Sequence, residues 1–195
     1  QVQVIGNLLI ATAAEGARTV LLDVSDPEDP EPIPGGDFLA HDAEGVPREA
    51  YFTNFASGFV YYARKDAGGG LIVYDVRDPS RPTYAGSIAS DGNGGYVFLH
   101  EGYAFVGQGS FAAIYDAHDP SSITEVARLH LQGDLDTITP IGNVAVLSVD
   151  DDAAPDQGSS VVPWQTEPDA RGPVVGWTWP VDGATDLRTT SRLGV

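Results

Sequence analysis

The sequence predicts an all-β protein assembled from four repeated β-propeller blades, and two observations carry that prediction. The first is a recurring phrase: Asp23-Val24-Ser25-Asp26-Pro27, Asp75-Val76-Arg77-Asp78-Pro79 and Asp116-Ala117-His118-Asp119-Pro120, each directly after an apolar run. A degraded fourth copy stands at Trp164-Gln165-Thr166-Glu167-Pro168, where the second acid survives as Glu and the proline is kept. The copies are 52, 41 and 48 residues apart, and periods of roughly 40 to 50 residues holding several short strands are the signature of propeller blades. The second observation is the apolar patterning. Runs are short, β-branched or aromatic, and bounded by Gly, Asn, Asp and Pro, and no period of 3.6 persists over three turns. Long helices are therefore not expected.

Each unit follows one order: a first strand, a Gly-containing turn, a second strand, a hairpin, a third strand, the Asp-x-x-Asp-Pro turn and a fourth strand. In the first unit the pieces are 2–5, 8–12, a hairpin at Glu15-Gly16, 19–23 and the run 30–39. The second unit reads 52–56, Ser57-Gly58, 59–63, Gly68-Gly69-Gly70, 71–75 and 83–87. The third offers 96–100, Glu101-Gly102, 103–106, Gly107-Gln108-Gly109, 112–116 and 123–129. The fourth gives 136–141, Gly142-Asn143, 144–149 and 160–162, with residues 150–159 enlarging its hairpin. Unit boundaries fall at 1–48, 49–93, 94–131 and 132–172. The repeated phrase has a local cause: Asp side chains accept from nearby backbone amides, and proline sets φ and stops strand pairing. The six acids Asp23, Asp26, Asp75, Asp78, Asp116 and Asp119 are accordingly expected to build turns rather than a carboxylate site.

Composition narrows the function classes. The 195 residues hold 28 acids against 10 Lys and Arg, a formal net charge of −18. Most of such a surface repels nucleic acid and anionic membranes, while it keeps a protein soluble and favours basic partners or divalent cations. The chain has no cysteine, which removes thiolate and disulfide chemistry. It has no methionine, so it does not begin at a start codon. No apolar run reaches the roughly 20 residues that a membrane-spanning helix needs.

Candidate chemistry is sparse. Asp150-Asp151-Asp152 with Asp156 forms the densest acidic cluster. Ca²⁺ takes six to eight oxygens at flexible angles, so Asp150, Asp152 and Asp156 are the candidate Ca²⁺ ligands, with a solvated acidic loop as the competing reading. The spacing is not that of an EF-hand. Histidines 41, 100, 118 and 130 show no metal-ligand spacing. First strands face a propeller's channel, so Asn54, His100, Asp134 and Asp136 are the channel-mouth candidates. The glycine clusters lack the helix and Lys-Ser/Thr of a phosphate loop, and no Gly-x-Ser-x-Gly elbow occurs. No catalytic residue or organic cofactor is assigned. Trp164, Trp177 and Trp179 lie near the exit of the last unit, where packing against a following module or carbohydrate stacking are the alternatives.

Gly102–Val106, the run Gly70-Leu71-Ile72-Val73-Tyr74-Asp75-Val76-Arg77-Asp78-Pro79 and the closing Pro-x-x-x-Gly of Pro82–Gly86 resemble LVIVD-type β-propeller repeats. The resemblance covers residues 1 to about 170 and is clearest in the second and third units. It implies a bacterial or archaeal secreted or cell-surface protein and no common catalytic residue. The segment 173–195, with Trp179-Pro180-Val181-Asp182-Gly183-Ala184-Thr185-Asp186-Leu187, resembles the opening of an SbsA-type bacterial Ig-like β-sandwich. These resemblances imply a fragment of a larger multidomain protein, with the four units part of a larger ring; a free-standing four-bladed ring is the competing possibility. The expected function is a non-catalytic extracellular or cell-surface interaction or scaffolding module, with protein or carbohydrate as partner. A propeller enzyme of hydrolase or lyase type and a structural subunit of an extracellular filament are the alternatives.

Overall fold

A computed structural model describes residues 1–66, 68–149 and 159–165. Among these, fifteen strands form four antiparallel sheets, each a simple meander. The first holds β1 (Val2–Ile5), β2 (Leu8–Thr12), β3 (Arg18–Asp23) and β4 (Glu31–Leu39). The second holds β5 (Ala50–Ala56), β6 (Phe59–Arg64), β7 (Gly70–Asp75) and β8 (Thr83–Ala89). The third runs β9 (Val97–His100), β10 (Tyr103–Gly107), β11 (Ala112–Asp116) and β12 (Thr124–Leu129). The fourth contains β13 (Thr137–Ile141), β14 (Val144–Ser148) and β15 (Ser160–Pro163), three strands among the described residues. The helical content described is the single 3₁₀ turn Pro120–Ser122.

The repeated phrase does what its chemistry dictates. Asp23, Asp75 and Asp116 each accept, through Oδ1, the amide two residues on (Ser25, Arg77 and His118) at 2.7, 3.0 and 3.1 Å. Asp26, Asp78 and Asp119 do the same to Glu28, Ser80 and Ser121 at 3.0, 3.1 and 2.9 Å. All six repeated acids are thus spent on their own turns. The residue after next covers the neighbouring hairpin. Arg77 lies over the Phe59 ring at 5.1 Å and blocks any Cβ at Gly58, and His118 sits edge-on to Tyr103 at 4.9 Å and blocks any Cβ at Gly102. Ser57-Gly58 and Glu101-Gly102 both have positive φ at each position, the type I′ geometry that suits two-residue hairpins.

Sheets pack face to face through three apolar clusters. Ile10 and Leu21 meet Val60, Tyr62, Ile72 and Tyr74 between the first and second sheets. Tyr61, Leu71 and Val73 meet Val97, Val106 and Tyr115 between the second and third. Phe105 and Ile114 meet Ile138, Ala145 and Leu147 between the third and fourth. Within β6 and β7 alternate residues therefore serve opposite neighbours, which is why these strands are apolar throughout rather than alternating. The first strands lie beside one another, β5 next to β9 and β9 next to β13, with Gln1 and Gln3 of the first sheet donating to the Thr53 carbonyl at 2.9 Å. The sheets are blades arranged about an axis, with first strands inside and fourth strands outside.

Glycines let consecutive blades approach. A Cβ at Gly86 in β8 would coincide with the carbonyl oxygen of Pro120, so this glycine seats the Asp119-Pro120 turn of the next blade. Gly35 and Gly36 in β4 likewise face the carbonyls of Ser80 and Pro79. The Pro-x-x-x-Gly closure of the repeat is the socket for the following blade's Asp-Pro turn.

Candidate functional site

Each blade has an Asp-Pro end, which also carries the turn between its first and second strands, and an opposite end, the hairpin end, formed by the turn between its second and third strands; the connections between blades cross at the hairpin end. There Gly16 bridges to Ala50, Gly109 bridges to Leu135, and the Gly92 and Gly94 amides donate to the Gly68 and Arg64 carbonyls at 3.1 and 3.0 Å. Gln108, fully buried, holds the crossover between the second and third blades. Its Oε1 accepts from the Gly70 amide at 3.0 Å and from Ser90 Oγ at 2.6 Å, while its Nε2 finds no partner.

Charge is organised at the same end. Asp42, 2% exposed, accepts from Arg48 Nε at 2.5 Å and from the amides of Glu44 and Val46 at 3.1 and 3.0 Å. Burial pushes the Asp42 carboxyl up, but Arg48 and the two amides outweigh it and bring it to about 2. Arg48 also approaches Asp66 at 3.6 Å, and Lys65 pairs with Glu15 of the preceding blade.

The most distinctive surface feature is an aromatic cluster on the inner strands. A register shift in β5 between Ala50 and Thr53 leaves Tyr51 and Phe52 outside the regular pairing with β6. Phe52 stacks on Tyr96, which immediately precedes β9, with ring centroids 3.7 Å apart and planes 16° from parallel. Tyr51 stands edge-on to Phe52 at 4.7 Å, Phe98 lies parallel to Tyr96 at 6.4 Å, and Lys65 Nζ sits 4.9 Å above the Tyr51 ring. All four rings are half-buried, so they pack together yet keep contact with solvent. Neither Tyr51 nor Phe52 stood out in the sequence because a bulge is needed to take them out of strand alternation. Adjacent Tyr-Phe at the start of a predicted strand was the one available signal.

The four channel-mouth candidates do not form one site. The Asp136 carbonyl accepts from the Tyr96 amide at 2.9 Å, which fixes Asp136 at the hairpin end, and Asp134 lies there too, beside the Gly109 position. Asn54 is within β5 and donates to the Val97 carbonyl at 3.1 Å. His100 is at the far end of β9, about 13 Å along the strand from Tyr96 at ~3.3 Å per residue. Its ring meets Trp164 edge-on at 5.8 Å. Trp164, in the place of the first Asp of the repeat, packs against Tyr103 and Phe105 at 5.4 and 5.1 Å and donates to the Gly142 carbonyl at 2.7 Å. Asp150, Asp152 and Asp156, and Trp177 and Trp179 with the Ig-like segment, lie outside the described residues. Among the described residues no three His, Asp or Glu side chains gather as a metal group, and no helix is long and apolar enough to cross a membrane.

The four stacked meanders around an axis define a repeat β-propeller, and comparison with known proteins agrees. Residues 57–90 and 91–130 match the LVIVD repeat. Among solved structures, the computationally designed Ika4 protein is similar with a TM-score of 0.61 at 13% identity, over 83% of this chain and 88% of Ika4. BamB from Moraxella catarrhalis is similar with a TM-score of 0.60 at 13% identity, over 86% of this chain and 44% of BamB. Kluyveromyces lactis Hsv2 gives 0.50 at 13% identity, over 84% of this chain and 44% of its own. The chain thus spans less than half of BamB and Hsv2, and at these identities the likeness is one of fold. No curated protein matches the chain.

Proposed function

We propose that this propeller is a non-catalytic interaction module whose contact surface is the inner rim at the hairpin end, centred on Tyr51, Phe52 and Tyr96. The aromatic cluster carries this reading: rigid, half-exposed rings beside a cation are the side chains that dominate protein contacts, because they bury a large area at low entropic cost. Lys65, which lies over the Tyr51 ring, and its partner Glu15 give the cluster a polar edge. The dispersal of Asn54, His100, Asp134 and Asp136 over different levels of the blades weighs against an enzyme built on that quartet. An extracellular or cell-surface location fits the acidity and the resemblance to LVIVD-type proteins, and a protein partner there suits the rim better than carbohydrate because the stacked rings close on each other.

A photo-crosslinking amino acid at position 51 or 96, compared with one at the outer-strand position 126, tests the reading in extracts of the source organism. The expected result is one recurrent protein adduct at the rim positions, lost when Phe52→Ala is added, and none at position 126. Adducts of equal yield at all three positions would overturn it. Fractionation of source cells tests the location, and recovery of the protein in the cytosol alone would refute that part.

A further inference from the structure

The connection between the second and third blades is held as a clasp. Four consecutive amides are engaged, alternately by the two blades: Gly92 donates to the Gly68 carbonyl at 3.1 Å, Asn93 to that of Gln108 at 2.9 Å, Gly94 to that of Arg64 at 3.0 Å and Gly95 to that of Gly107 at 2.9 Å. Glycine is required here because backbones touch. A Cβ at Gly94 would stand 2.3 Å from the Arg64 carbonyl oxygen, and one at Gly95 would stand 2.4 Å from that of Asp136. Packing thus dictates glycine at position 94, and the residue before it is the exposed Asn93. The chain has asparagine at 7, 54, 93 and 143, and of these Asn93 alone precedes a glycine; Leu8, Phe55 and Val144 follow the others. An Asn-Gly step is reactive because the glycine nitrogen, unshielded by a side chain, reaches the preceding carboxamide carbon and closes an imide ring.

We infer that Asn93 is a self-modification site that the clasp keeps latent: when the crossover opens, Asn93 converts to aspartate or isoaspartate, and the isoaspartyl chain no longer closes it. In this reaction the Gly94 nitrogen gives its proton to solvent and bonds to Asn93 Cγ, while the Cγ–Nδ2 bond breaks and ammonia leaves. Water then opens the imide at either carbonyl. One opening leaves aspartate in a normal chain; the other routes the backbone through the side chain and adds a carbon between residues 93 and 94. Closure suppresses the first step for a geometric reason. The Gly94 N–H points at the Arg64 carbonyl, and the flanking bonds from Asn93 and Gly95 stop the peptide plane from turning toward the side chain. Reaction therefore proceeds through local opening, and its rate follows the open population. The product cannot restore the clasp. An added carbon puts amides 94 and 95 out of step with 92 and 93, against carbonyls fixed in two different blades. Crowding leaves no slack, since a Cβ at Gly92 would already lie 2.6 Å from Gln108 Cβ. Either product also brings a carboxylate toward Asp134: Asn93 Cβ and Asp134 Oδ1 are 3.7 and 3.4 Å from the point that a Gly109 Cβ would occupy. Loss of register passes on to Tyr96 and so to its stack on Phe52.

The 195-residue chain is aged at mildly alkaline pH in native buffer and in guanidinium chloride, and amide-to-acid conversion is followed at each asparagine by peptide mass spectrometry. In denaturant Asn93 is expected to convert first of the four. In native buffer its rate should be at least about tenfold lower, the ratio reporting the open fraction of the crossover. Ser90→Ala removes the hydroxyl that reaches the Gly68 carbonyl at 2.9 Å and Gln108 Oε1 at 2.6 Å and accepts from the Gly92 amide at 3.2 Å. This variant, with native circular dichroism, should convert several-fold faster in native buffer and at an unchanged rate in denaturant. The isoaspartyl fraction of aged protein should exchange amides 92–95 faster than fresh protein, while those of β2 stay protected. Equal native and denatured rates would overturn the inference, because closure would then protect nothing. So would an unreactive Asn93 in denaturant, or an isoaspartyl fraction whose amides 92–95 exchange as in fresh protein. If Ser90→Ala does not fold, guanidinium below the unfolding transition replaces it: conversion that stays flat while the Gly94 amide exchanges faster would refute the gating.

Discussion

Asp42 shows how a single residue in an acidic protein can be structural rather than functional. It is one of 28 acids, yet it is buried, and three donors satisfy it. Its carboxyl lies at about 2, below its ordinary 3.8. A depressed folded value means that the stabilisation is fully present above about pH 4 and is lost as pH falls toward 2. Asp42→Asn, which keeps the shape and removes the charge opposite Arg48, is therefore expected to cost about 2 kcal/mol at neutral pH. The loss should shrink to near zero by pH 2. Urea unfolding of both proteins at pH 7 and pH 2.5 checks this, and an equal loss at the two values would show that the carboxylate charge is not what matters.

At the scale of the element, the repeat is a device for coupling blades. Proline ends one strand pairing, the Asp side chains fold the turn, and the turn enters a glycine socket on the previous blade's outer strand. Gly86→Val fills that socket where the obstacle is the backbone of Pro120, which cannot swing aside as a side chain would. Overpacking of this kind costs roughly 1–3 kcal/mol, and the strand preference of a β-branched residue does not relieve a clash with the Pro120 turn of the next blade. Chemical denaturation measures it directly. A change below about 0.5 kcal/mol, the scatter of ordinary surface substitutions, would show that the socket does not bear on stability.

The whole molecule carries far more negative than positive charge, with ion pairs such as Arg18–Asp37 and Arg77–Asp75 lying at the surface. Salt weakens such pairs, and solvent-exposed pairs of this kind contribute little to stability. Screening the mutual repulsion of unpaired acids acts on the entire surface. The melting temperature of the protein is thus expected to rise with NaCl concentration. A fall would mean that the surface pairs outweigh net repulsion.

The sequence by itself determined the all-β class, the repeat and nearly every strand. It also determined the role of the six repeated acids, because these follow from local chemistry: side-chain acceptors two residues from a free amide, proline at a strand end, β-branched runs between turns. The described part of the fourth blade agrees with its reading, whereas Trp164 packs against rings of the third blade, a contact that the sequence did not indicate. Tertiary structure decided everything that depends on distance between blades. His100 and Asp136 looked alike as residues flanking first strands, yet they lie at opposite ends of the blades because one closes a strand that the other's connection precedes. The Tyr51–Phe52–Tyr96 cluster required a bulge in one blade and a crossover from the next, and neither leaves a periodic trace in sequence. Among the described residues, Val2 and Val4 of β1 alternate just as the buried residues of β6 and β7 do. Only packing, which buries the facing sides of adjacent sheets in three apolar clusters, distinguishes a core valine from an exposed one.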